Sequence, residues 1–371
     1  RISFCGPCTG RAAGGKRMAD VTFETRGPMG LVTLDRPKAL NALTHAMALE
    51  IEGRLDAWAS EAGVAFVVLR GADEKAFCAG GDIRALWEAG RPGGENGAAN
   101  YGFYADEYRL NTRIKRYPKP VVALMDGVVM GGGVGLSVHA LRRIAGDRTL
   151  FAMPETGIGL FPDVGGTYFL PRLPGEVGMW LGLTGARLGP VDALQAQICD
   201  FYLPSNRFGE LIDAFSHLEI GAREPLEAID WAIEAHARQP EGPSVLDEHR
   251  ARIDRLFAAD TVEAILDALE ADPHDWAREQ RAKILEKSPM STRIAMRQLR
   301  AGAEMDFEDC MRLEYRLARF CMRQPDFYEG VRAAIIDRDT PPRWDPPTLD
   351  QADEAYVAPA FAPLGKDELS L

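Results

Sequence analysis

Residues 130–136 read MGGGVGL, four glycines in five positions at the head of a helical run. Each glycine inside a helix costs about 1 kcal/mol relative to alanine, so this density calls for a reason. Close helix–strand packing would account for one or two of them. The other reading is that a ligand oxygen approaches bare backbone N–H groups at the helix N-terminus, where orphan donors and the helix dipole favour negative charge. Residues 76–83, AFCAGGDI, offer a second such place, with Gly80 and Gly81 just ahead of Asp82, an expected N-cap. Alone, it would pass for an ordinary strand–loop–helix turn. Together, some fifty residues apart, the two segments could supply both donors of an oxyanion hole, the equipment of acyl or enolate chemistry.

A pair of acids follows. Residues 153–166 read MPETGIGLFPDVGG, and Glu155 and Asp163 are its only charged residues. Burial among such apolar neighbours would lift a carboxylate toward the range useful for proton transfer. Single acids of this kind more often cap helices or sit in surface turns. Their pairing with the glycine segments favours the chemical role. A serine nucleophile has less support: no G-x-S-x-G occurs, and Ser137 has no partnered histidine. His139 is expected to pack in the core.

These residues need a scaffold. Residues 21–25 and 30–34 alternate as two short strands around Gly27-Pro28. A helix follows with Thr44 as N-cap and Met47, Ile51, Leu55 and Trp58 on one face. Residues 65–70 and 121–125 are buried strands, and 142–146 and 149–152 shorter ones. Helices are expected over 82–89, 106–116 and 131–139, with a mobile loop at 91–100. The recurring strand–strand–helix unit fits a stacked β-β-α spiral at least as well as a doubly wound sheet. Periodicity does not decide between them. Beyond about Phe201 strand signals vanish. Ser288-Pro289 and Asp306 begin helices, the latter with Phe307, Met311, Glu314, Leu317 and Cys321 along one stripe. Pro341, Pro342, Pro346 and Pro347 then end regular structure. The expected division is a leader at 1–17, a spiral core at 18–205, a helical region at 206–340 and an irregular tail at 341–371.

Residues 1–17 are basic, acid-free and glycine-rich, foreign to the fold, with Met18 the natural first residue. Their GRAAGGKR nearly spells a phosphate-binding loop, but Arg17 stands where Ser or Thr is required and no strand precedes it. Near the other end KDEL is followed by Ser370 and Leu371 and is not a readable retention signal. The chain's formal net charge of −12 argues against non-specific nucleic-acid binding, and no run of apolar residues is long enough to span a membrane. Cys5, Cys8, Cys78, Cys199, Cys310 and Cys321 are too scattered for a disulfide framework, and the Cys5/Cys8 pair lacks further zinc ligands. A reducing compartment follows. A nicotinamide-dependent dehydrogenase is set aside, since no strand leads into G-x-G-x-x-G.

The segments LDRPKALNALT, AFCAGGDI, DGVVMGGGVGLS and MPETGIGLFPDVGGTYFLPRL resemble the crotonase (enoyl-CoA hydratase/isomerase) superfamily, over about residues 21–203. The resemblance implies an α/β fold, a crotonase-like β-β-α spiral core with an all-helical C-terminal part, acting on acyl-CoA thioesters. It implies an oxyanion hole from the N–H groups of Gly81 and Gly132, with Ala79, Gly81, Asp82 and Ile83 beside the CoA. Hydratases of the superfamily carry a glutamate three residues beyond the second oxyanion glycine, where this chain has Gly135, and usually a glycine where it has Asp163. PET-x-IGLFPDVGG, Asp106-Glu107-Tyr108, SPMSTRIAMRQL and DFYEGVRAAIIDRD are instead similar to the 3-hydroxyisobutyryl-CoA hydrolases. That likeness implies thioester hydrolysis in valine breakdown. Glu155 would attack the carbonyl or activate water, Asp163 would bind the substrate hydroxyl or position water, and Glu107 would line the acyl pocket. No metal or organic cofactor is called for, CoA being part of the substrate. A trimer or hexamer is expected by likeness, in the cytoplasm or, in a eukaryote, the mitochondrial matrix. Two other readings stay open: a hydratase or isomerase working through Glu155 alone, and a catalytically silent acyl-CoA-binding protein.

Overall fold

The computed structural model describes residues 19–90, 101–221, 224–338 and 340–371. The leader with its cysteine pair and the loop at 91–100 lie outside them. Strands β1 (Val21–Arg26) and β2 (Met29–Leu34) form a hairpin, and α1 (His45–Ser60) starts where Thr44 Oγ1 accepts the Met47 N–H. Then come β3 (Phe66–Gly71), β4 (Ala76–Cys78), α2 (Ile83–Gly90) and α3 (Gly102–Lys115). The unit repeats as β5 (Val121–Met125), β6 (Val128–Met130) and α4 (Gly132–Ser137), and opens again with β7 (Arg142–Ala145) and β8 (Leu150–Ala152).

After the β1–β2 hairpin, each unit sends its first strand to one sheet and its second to another. The larger sheet has the order β1-β2-β3-β5-β7-β10, the last strand being Phe201–Tyr202, and is parallel beyond the first hairpin. The smaller runs β4-β6-β8-β9, with β9 at Arg187–Leu188. This alternation makes the chain a β-β-α spiral and not a doubly wound sheet. β2 and β5 are buried along their whole length, and β5 accordingly reads as an unbroken apolar run. Val32, Leu34, Val67 and Leu69 face Met47 and Ile51 of α1, whereas Met29, Leu31, Phe66 and Val68 face the opposite side.

Between β8 and β10 lie α5 (Gly166–Phe169), α6 (Val177–Thr184) and α7 (Pro190–Gln195). Helices α8 (Phe208–Ser216) and α9 (Pro225–His236) close the outer face of the large sheet through Leu211, Phe215, Ile229 and Ile233. α10 (Val245–Leu256), α11 (Val262–Ala271), α12 (Asp275–Leu285), α13 (Pro289–Gly302), α14 (Phe307–Cys321) and α15 (Pro325–Val331) complete the helical part. Ser288 and Asp306 cap α13 and α14 with their side chains. Residues 341–371 depart from the expected irregular tail. They hold a short helix, α16 (Glu354–Val357), and bury Val357, Ala360 and Leu369. The apolar residues after the prolines still find a surface to pack on. Among the described residues no helix is long and apolar enough to cross a membrane, and Cys78, Cys199, Cys310 and Cys321 are free and buried.

Candidate active site

The four glycines of 131–135 divide their work. A Cβ on Gly133 would lie 2.1 Å from the Cys78 carbonyl oxygen, and one on Gly135 2.6 Å from Asn111 Nδ2, so these two let α4 pack against β4 and α3. Gly131 adopts φ 45° and ψ −122°, a backbone few other residues tolerate, and turns the chain from β6 into α4. Gly132 faces a gap. A Cβ there would sit 2.5 Å from Glu107 Oε1 and 3.2 Å from the Gly81 nitrogen. Opposite it, the Gly80–Asp82 strap is pinned to the segment before α1, Leu43 N–H donating to Gly80 O and Asp82 N–H to Leu43 O. Gly81 and Gly132 thus border one space from two elements, and among the described residues neither backbone amide donates a hydrogen bond. Two free amides so placed can hold one oxyanion.

That space is a cavity of about 580 Å³ lined by Ala79, Gly80, Gly81, Ile83, Glu107, Gly131, Gly132, Glu155 and Asp163, among others. Asp82, expected beside the CoA, does not line it. Its carboxylate takes the Ala85 N–H at the head of α2 and pairs with Arg36 at 3.1 Å. Glu155 opens the tight turn Glu155–Ile158 after β8, and Glu155 Oε1 lies 3.6 Å from where a Gly131 Cβ would be. Its Oε2 is buried without a partner, as is Glu107 Oε1. Asp163 accepts a hydrogen bond from Tyr108 OH at 2.9 Å.

The electrostatics follow from enclosure. Burial, then repulsion from Asp163, holds the Glu155 carboxyl well above the usual carboxylate range, and the same two causes act on Glu107. Burial pushes Asp163 up to about 7 against the pull of the Tyr108 hydrogen bond. A fourth acid, Glu314 of α14, is pushed up to about 8 by burial although it accepts the Gly165 and Thr167 N–H groups. Among the described residues no basic side chain pairs with any of the four, and no group of three or more His, Cys, Asp or Glu is placed to hold a metal ion. His139, expected in the core, is there: burial drives it down to about 3, and its Nε2–H donates to Val164 O at 2.8 Å. Ser137 donates to Gly133 O and plays no part in the cavity.

Sequence reasoning missed several neighbours. α3 begins at Gly102, not Asp106, because Phe103 and Tyr104 are themselves buried. The extra turn brings Tyr104 to the cavity, where its hydroxyl has no partner. The heptad-like burial of Tyr104, Tyr108 and Asn111 was the available signal. Arg187, Lys287 and Arg338 also line the cavity from remote segments, and no local pattern announced them.

A cluster of acids raised by burial has a stability consequence. The folded state keeps a proton on Glu107 that the unfolded chain releases near 4.5, so this group's stabilising share falls as pH rises above that value. Glu107→Gln removes the ionisation. Its unfolding free energy is therefore expected to gain on the parent's progressively as pH rises above about 5, by up to about 1.4 kcal/mol per pH unit. Thermal unfolding of both proteins across that range checks it, and a constant difference would show that Glu107 ionises freely.

A family model described as enoyl-CoA hydratase/isomerase matches residues 29–361. The chain is 44% identical over 354 residues to the mitochondrial 3-hydroxyisobutyryl-CoA hydrolase of Gallus gallus, spanning 95% of this chain and 91% of that protein. The Homo sapiens protein of the same name is 41% identical over 351 residues, 94% of this chain and 90% of that one. A solved carnitinyl-CoA dehydratase from Mycobacterium thermoresistibile shares the fold at a TM-score of 0.86 and 40% identity, covering 95% of this chain and 98% of that one. An enoyl-CoA hydratase from Rhodobacter sphaeroides 2.4.1 does so at 0.84 and 39%, covering 95% and 100%. The expected α/β architecture with a helical C-terminal part is the one these structures share. With a family match running through nearly all the described fold, the chain belongs to the enoyl-CoA hydratase/isomerase family, within the crotonase superfamily.

Proposed function

We propose that this chain hydrolyses a short hydroxyacyl-CoA thioester, 3-hydroxyisobutyryl-CoA foremost, to the free acid and CoA. The observation that carries the reading is the cavity's set of groups: two glycines with undonated amides and one buried acid, Glu155, line the same space, with no second glutamate where a hydratase needs it. At that position Gly135 has no room for a side chain, since a Cβ would also lie 2.8 Å from Val164 Cβ. The thioester oxygen sits between the Gly81 and Gly132 amides, which take up the charge as the carbonyl carbon becomes tetrahedral. Glu155 either adds to that carbon, giving an anhydride that water then opens, or draws a proton from the attacking water. In both routes water's oxygen ends on the acyl group, the C–S bond breaks, and the proton leaves with the CoA thiol. Asp163 and Tyr104, which line the cavity, would partner an acyl hydroxyl, and Arg187, Lys287 and Arg338 would supply positive charge for the CoA phosphates. The identity to hydrolases of that name from two vertebrates supports the same substrate.

Hydration is the second reading, favoured by the names of the two solved structures. A thiol-release screen over short hydroxyacyl-CoA esters, run beside crotonyl-CoA absorbance, separates them. Thiol release from 3-hydroxyisobutyryl-CoA without loss of crotonyl absorbance is expected. Hydration without release would replace hydrolysis by the hydratase reading, and binding without either reaction would leave an acyl-CoA-binding protein.

A further inference from the structure

Asp163 stands at the start of a turn that its own sequence disfavours. Val164 has φ 53° and Gly165 φ 93°, and Gly166 N–H closes the turn onto Asp163 O at 2.8 Å. Two successive positive φ values suit Asn-Gly or Gly-Gly; a β-branched residue at the first position is strained. Such strain persists only where surrounding groups over-determine it. Here they come from three elements distant in sequence. Glu314 of α14 accepts from Gly165 N at 2.7 Å and from Thr167 N at 2.8 Å, one amide on each oxygen. His139, beyond α4, donates to Val164 O at 2.8 Å, and Gln298 of α13 donates to Pro162 O at 2.7 Å. Glu314 and Gln298 are fully buried and His139 nearly so. Val164 is packed too, against Gly135, so the turn has no freedom to relax outward.

A buried glutamate in a site already crowded with acids is costly to keep. Leucine would fill the same stripe of α14 without that penalty. We propose that Glu314 is a positioning residue for substrate selection: its two carboxyl oxygens hold the left-handed turn that aims Asp163 into the cavity. It never touches the substrate. The helical C-terminal part thereby sets the geometry of an acid carried by the spiral core.

The proposal rests on the reading that Asp163 recognises the acyl hydroxyl. Its test is the ratio of kcat/KM for 3-hydroxyisobutyryl-CoA to that for isobutyryl-CoA, measured on one preparation. The ratio cancels the concentration of active enzyme, so partial unfolding cannot move it. Asp163→Ala is expected to collapse it. Glu314→Gln, which presents an NH₂ to one of the two amide donors, is expected to lower the ratio by about 10-fold or more, with KM for the hydroxy ester rising. His139→Phe removes the donor to Val164 O while keeping a ring against Gly165, and moves the ratio in the same direction; it stands in if Glu314→Gln does not fold. A ratio unmoved by Asp163→Ala overturns the reading of Asp163 and the proposal with it. A ratio collapsed by Asp163→Ala but untouched by Glu314→Gln and His139→Phe overturns the proposal alone.

Discussion

Glu155→Gln is expected to lower thiol release from 3-hydroxyisobutyryl-CoA by about 10³-fold or more, while the dissociation constant for the ester stays within about 3-fold. The substitution keeps the size and shape of a side chain that is 5% exposed and removes only its ability to attack or take a proton. Binding survives because the amides and the cationic rim do not involve Glu155. Removing an acid that burial and Asp163 hold well above its usual range also relieves repulsion, so the variant should fold at least as well as the parent. Stopped thiol-release kinetics and equilibrium binding on the same preparation check both halves. A variant that hydrolyses at the parental rate would remove Glu155 from the chemistry.

Gly132→Ala is expected to lower kcat/KM by about 10²–10³-fold, the range seen when one oxyanion donor is lost. The added methyl would stand 3.2 Å from the Gly81 nitrogen and 2.5 Å from Glu107 Oε1, inside the gap proposed to receive the thioester oxygen. The adjacent glycine provides the contrast. Gly133→Ala drives a methyl to 2.1 Å from the Cys78 carbonyl oxygen, a backbone atom of β4 that cannot swing away. Its expected loss is in stability, about 1–3 kcal/mol, read from denaturant unfolding. If Gly132→Ala instead lost stability and kept its rate, the two amides would not form the anion site.

Much of this site was legible before any fold was known. The glycine density at 131–135 marked a place where backbone must come close to something, and Glu155 and Asp163 stood out as acids among apolar residues. The helix caps at Thr44, Ser288 and Asp306 lay where their side chains bond the third amide on. These are local signals: a cap, a periodic face or a conformational requirement involves residues within one turn of each other.

Assignments that depended on partners from elsewhere went differently. Asp82 caps α2 as its position suggested, but its ion pair with Arg36, 46 residues earlier, had no local signal. Glu314 read as one member of an apolar stripe, yet it bonds a turn 149 residues earlier in the chain. The start of α3 was misjudged by a turn: the helix begins at Gly102, where Phe103 and Tyr104 are buried against remote segments. Residue types and short spacings determined that this chain carries recurring strand–strand–helix units, two glycine-rich segments and a pair of acids among apolar residues. Only the tertiary structure decided which glycines open onto the cavity and which merely pack, and how far each acid is lifted from its ordinary value. Those properties belong to desolvation and to contacts between remote segments, and neither is encoded in the spacing of neighbours along the chain.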